Sequence, residues 1–112
     1  MEQQSGQQDD DRRRSQRVRL AIPVTVSWKS KEGNTHTEQA QTEEVNAHGA
    51  VVLMTTALPL AATVQLTNTR TSQTARARVV ALRSPADGKQ RVAFELKVPT
   101  DTFWGIIIPA PT

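Results

Sequence analysis

The sequence predicts an all-β fold, a small antiparallel barrel, and three observations lead there. Apolar residues recur at every second position in short runs. Turn-forming clusters interrupt the chain roughly every ten residues, the spacing of sandwiches and barrels. No segment carries the three-to-four periodicity of a convincing amphipathic helix. At 112 residues the chain supports one domain with one modest hydrophobic core.

Taken in order, residues 1–11 (MEQQSGQQDDD) form a polar tail that cannot bury enough apolar area to offset its ordering entropy, so disorder is expected. An arginine segment, RRRSQRVRL, follows at 12–20 and runs into LAIPVTVSW. There Ile22, Val24, Val26 and Trp28 alternate with Thr25 and Ser27, a half-buried strand whose Pro23 places its start at an edge or bulge. KSKEGN supplies a hairpin turn at Gly33-Asn34, and THTEQAQTEEV reads as a polar, exposed partner strand. HGAVVLMT is a short apolar run bounded by glycine, hence a buried strand. ALPLAATVQL is a proline-marked turn feeding a strand with Val64 and Leu66 inward, and TNTRTSQ is a turn.

TARARVVAL sets Ala75, Ala77 and Val79 against Arg76 and Arg78. SPADGKQ has the composition of a tight turn. RVAFELKV places Val92, Phe94 and Leu96 on one face, with Arg91, Glu95 and Lys97 mostly outside. Residues 12–99 therefore form the expected domain. Residues 100–112 form a C-terminal extension with room for one helical turn at 100–104 before two prolines.

Composition narrows the function classes. The chain has no cysteine, so disulfide scaffolds, thiolate metal sites and cysteine nucleophiles are excluded. With no signal-like apolar stretch at the N-terminus and no membrane-spanning window, a cytoplasmic protein is expected. The two histidines, His36 and His48, stand apart, no acidic pair has acid–base spacing, and no glycine-rich loop precedes a helix, so the expectation is not an enzyme and no cofactor or metal. Trp28, Phe94, Phe103 and Trp104 are too few and too scattered for a base-stacking platform and read as core anchors.

The net charge of +3 is unevenly spread: Glu2, Asp9, Asp10 and Asp11 give −4 over residues 1–11, and five arginines give +5 over 12–19. A general nucleic-acid binder would spread its cations along a whole face, so nucleic acid is not the expected partner. The arginine run has two readings: a solvated tether beside an acidic tail, or a grip for an anion. Two features favour the grip. Arg12, Arg13 and Arg17 are joined directly to the first strand, and 30 residues later EEVNAHGAVVLM sets Glu44, Asn46 and Gly49 in the pattern acid-x-polar-x-x-Gly ahead of the apolar strand.

That pairing resembles the PilZ domain, the bacterial receptor module for cyclic di-GMP, over about residues 12–98. Arg13 and Arg17 match the RxxxR motif of the family, with Arg12 as the frequent additional arginine, and Glu44, Asn46 and Gly49 occupy its D/N-x-S-x-x-G motif. LPLAATVQL, ARVV and RVAFEL look like the later strands, although Ala62 stands where a turn glycine is common. The resemblance implies a six-stranded antiparallel barrel with a flexible N-terminal arm, and a signalling effector that binds cyclic di-GMP without catalysis. Arg12, Arg13 and Arg17 would clamp phosphates and guanine faces, and Glu44, Asn46 and Gly49 would form the barrel-side wall. It also implies a downstream protein partner and no membrane.

The implied chemistry suits these residue types. Guanidinium pairs bidentately with phosphate oxygens or with guanine O6 and N7, and stacks on purines. Glu44 keeps the usual carboxylate with one methylene more, and Asn46 replaces the usual serine with a bulkier donor and acceptor. Two other classes fit the same residues: a ligand-free PilZ-like adaptor whose surface binds a protein, and a small basic barrel that binds nucleic acid.

Overall fold

β3 (Thr35–Asn46), 12 residues long, is long enough to pair with three strands. The computed structural model describes residues 17–100 and 102–105. In it, the first half of β3 pairs with β2 (Pro23–Lys29), and its second half pairs with β4 (Gly49–Met54) on the opposite edge. β1 (Val18–Arg19) continues the β2 edge, with Val18 opposite Val45 and Arg19 opposite Glu44. β5 (Thr63–Asn68), β6 (Thr74–Ala86) and β7 (Lys89–Leu96) complete the molecule. The order β3-β2-β5-β6-β7-β4 returns to β3, closing a six-stranded antiparallel barrel, so each of these strands gains two neighbours along at least part of its length. The described residues contain no helix.

Inward alternation follows the sequence reading. Val24, Val26, Val52, Val64, Leu66, Ala77, Val79, Val92, Phe94 and Leu96 are all buried. Phe103 and Trp104, from the expected extension, join this core and pack edge to face at 4.7 Å. A turn closed by Gly105 N donating to Thr102 O lies where one helical turn was expected, although residue 101 is outside the described residues. Buried Asn68 holds this segment by donating its Nδ2 to Phe103 O at 2.9 Å. Trp28 is half-buried and stacks on His36.

The turns show which local signals set the path. Asp87 and Gly88 both take positive φ, 51° and 75°, between paired Ala86 and Lys89, which is a type I′ hairpin. SPADGKQ is therefore mostly strand: β6 runs through Ser84 and Pro85, with irregular pairing between Arg83 and Ala86, and only Asp87-Gly88 turns. In the β4–β5 connection the positive φ falls on Ala61, at 70°, rather than on Ala62. Ala61 N donates to Val79 O there, extending the β5–β6 pairing by backbone bonds alone.

Two bulges shape the outer face. Pairing of β3 with β4 shifts between Thr42 and Glu44, so Glu43 is an extra residue. Alternation resets there: Thr42 and Val45 are buried, while Glu43 and Glu44 both lie on the outer face. The Thr42 hydroxyl is satisfied on the inside, donating to Leu20 O at 2.6 Å and accepting from Ile22 N at 2.9 Å. These bonds anchor the root of the N-terminal arm to β3. The second bulge, between Val79 and Ala81, leaves Val80 unpaired on the outside.

Candidate functional site

On the outer face, the strand registers place residues from β3, β4, β7 and β6 directly beside one another in three rows. The middle row is Glu44, Val51, Ala93 and Ala81; on one side lie Asn46, Gly49, Glu95 and Arg78, and on the other Gln41, Leu53, Arg91 and Arg83. The middle row supplies an apolar floor, because Val51 and Ala93 are outward-facing yet only 5% and 7% exposed. Above it lies a depression of about 240 Å³, lined by Arg17, Glu44, Asn46, Gly49, Val80 and Arg83 among others.

The site residues expected from the sequence converge here as far as they are described. Arg17 reaches Glu44 at 3.6 Å, with its own side chain 57% exposed and that of Glu44 only 16% exposed. A half-exposed pair of this kind is worth about 0–1 kcal/mol, so it orients Arg17 without committing it. Arg12 and Arg13, together with the tail 1–11, lie outside the described residues.

Asn46 closes the β3–β4 hairpin. Its Oδ1 accepts from His48 N at 2.7 Å and from Gly49 N at 2.9 Å, while its backbone carbonyl accepts from Trp104 Nε1 at 2.9 Å. This side-chain mimicry of a backbone turn is typical of Asn. Gly49 does not take positive φ. It is glycine because a Cβ would collide with the Phe94 carbonyl oxygen across the β4–β7 pair. Of the two roles open to a glycine, close approach is the one used, and here it serves strand against strand.

Sequence reasoning missed the floor and the second ion-pair group. Val51 and Ala93 were hidden in apolar runs, and the signal was that HGAVVLM does not alternate, as expected of a strand covered on both faces. Beside Glu44, Glu43 accepts from Arg91 through Nη2 at 2.7 Å and Nε at 2.8 Å, and Arg19 stands 4.0 Å away. Nothing local foretells that pair, since 48 positions separate its members. Arg78 is held by Glu95 at 3.2 Å. Among the described residues, no group of three His, Cys, Asp or Glu could hold a metal ion.

No family model matches the chain, and no curated protein matches it significantly. A solved structure does: the PilZ domain with c-di-GMP of YcgR from Escherichia coli has a TM-score of 0.55 and 17% sequence identity, covering 77% of this chain and 78% of that chain. At that identity the likeness concerns the fold, and the chain has a PilZ-like β-barrel.

Proposed function

We propose that this protein is a non-enzymatic effector that binds cyclic di-GMP on the outer face of its barrel and acts in the cytoplasm. The observation that carries the reading is the convergence of Arg17, Glu44, Asn46 and Gly49 on one depression with an apolar floor, in a barrel similar to one solved with c-di-GMP. Enclosed small-molecule sites usually measure about 300–1,000 Å³. The depression is smaller, about 240 Å³, so it seats part of a dinucleotide and the arm supplies the rest.

Arg12, Arg13 and Arg17 clamp phosphates and guanine faces; Glu44 accepts from a guanine edge; Asn46 and Gly49 hold the turn that forms the wall. Binding orders the arm against the barrel, and that rearrangement is the output read by a downstream protein. The weak Arg17–Glu44 pair exchanges for a charge-assisted bond to phosphate, which is stronger than an exposed ion pair.

Titration calorimetry with cyclic di-GMP tests this. Arg13→Ala and Arg17→Ala should each weaken binding by roughly tenfold to hundredfold, from the loss of charge-assisted bonds worth ~1.5–3 kcal/mol. The melting temperature of the free protein should not change. Arg19→Ala, whose side chain is 76% exposed and faces Glu43, should matter less. Asn46→Ser, the usual family residue, should bind equally or better. Absence of saturable binding by the wild type at high micromolar ligand overturns the reading in favour of a ligand-free adaptor. Binding to nucleic acid that falls steeply with salt would overturn it in favour of the basic-barrel reading.

A further inference from the structure

We infer that Arg83, on the β6–β7 hairpin, is a further ligand-binding residue that takes a phosphate of the dinucleotide from the side of the depression opposite Arg17; this rests on the proposed site. Arg83 lines the same depression as Arg17 but comes from a strand unrelated to either sequence motif. Its register partner on β7 is Arg91. Two like charges placed directly opposite on an antiparallel pair destabilise it, so the arrangement calls for compensation.

Only half of it is compensated. Arg91 is neutralised by Glu43 through two contacts to one oxygen. Arg17 has Glu44, Arg19 has Glu43, and Arg78 has Glu95. Arg83 is exposed and has no acidic partner among the described residues, nor any other polar contact. Of the two arginines lining the depression, it is therefore the one with its charge uncommitted. An anion seated over the apolar floor satisfies Arg83, as Glu43 satisfies Arg91. A barrel that keeps an unpaired cation beside its depression departs from local consistency where binding sites commonly do.

Arg83→Ala should weaken cyclic di-GMP by roughly tenfold, as for one charge-assisted bond, and lower the steepness of its salt dependence. Arg83→Lys, which keeps the charge without the planar fork, should recover part of the affinity. Arg70→Ala removes an exposed arginine that does not line the depression and controls for net charge. Melting curves without ligand should stay within about 1 °C of wild type or rise slightly for Arg83→Ala. If wild type binds and Arg83→Ala binds equally, the role of Arg83 is wrong and the site stands. If Arg83→Lys is as weak as Arg83→Ala, a phosphate contact is wrong. If wild type does not bind at all, both the site and Arg83's role fall.

Discussion

The indole Nε1 of Trp104 donates to the backbone carbonyl of Asn46 at 2.9 Å, tying the C-terminal segment to the turn that walls the candidate site. The indole is otherwise buried against Phe103 and the barrel core. Anchoring and site geometry thus share one residue. Trp104→Phe keeps most of the packing and loses the bond, so it should cost about 1 kcal/mol. Trp104→Ala should cost about 3–5 kcal/mol. Denaturant unfolding monitored by circular dichroism measures both. Equal, small losses would mean that the segment contributes little to barrel stability.

Gly49→Ala puts a methyl group against the Phe94 carbonyl, so β4 and β7 must move apart locally. Overpacking of this kind costs about 1–3 kcal/mol, and more where backbone must yield. Hydrogen exchange should show lost protection around Gly49 and Phe94 even without ligand. A variant as stable as wild type that merely fails to bind would give the glycine a ligand role instead of the strand-packing role.

Phe94 is 2% exposed and faces Val79 and Ala50 across its two neighbouring strands. Phe94→Ala should cost about 3–5 kcal/mol, most of the stability of a domain this small. The expected result is a largely unfolded variant at room temperature. A loss under about 1 kcal/mol would contradict the inward assignment.

Glu38 fastens the end of β4 to β3: its Oε2 accepts from Thr55 N at 2.6 Å and its Oε1 from Thr56 N at 3.1 Å. Burial pushes its carboxyl up, but the backbone and hydroxyl bonds of Thr55 and Thr56 outweigh burial and hold it below the usual range. The unfolded chain, with a glutamate near about 4.3, binds the proton more readily. The stabilisation is therefore complete above that pH and is lost as pH falls through the lower folded value. Glu38→Gln should lower the melting temperature at neutral pH by several degrees, about 1 kcal/mol. The gap from wild type should narrow as pH falls below the unfolded value and close below the lower folded one. A gap independent of pH would show that the charge of Glu38 plays no part.

From the sequence alone come most of the strands, the inward residues of those that alternate and the position of the motifs. In a barrel with polar solvent on one side, a period of two distinguishes Val24 and Val26 from Thr25, and Phe94 from Glu95, without any neighbour being known. Turn chemistry marked SPADGKQ, but only pairing between β6 and β7 confined the turn to Asp87-Gly88, where both residues take positive φ.

Tertiary structure decided what the motifs stand beside. The bulge at Glu43 is not written in EEVN. It follows from how β3 must pair with β4 while keeping both Thr42 and Val45 inside, and it is what turns Glu43 and Glu44 outward together. Likewise Ala93 and Arg83 join the site only through registers with strands distant in sequence from β3. The role of Gly49 depends on a Phe94 carbonyl 45 positions away. Local periodicity reports which face a residue occupies, whereas register between remote strands is set by long-range packing and bulges. The candidate site is made of such registers.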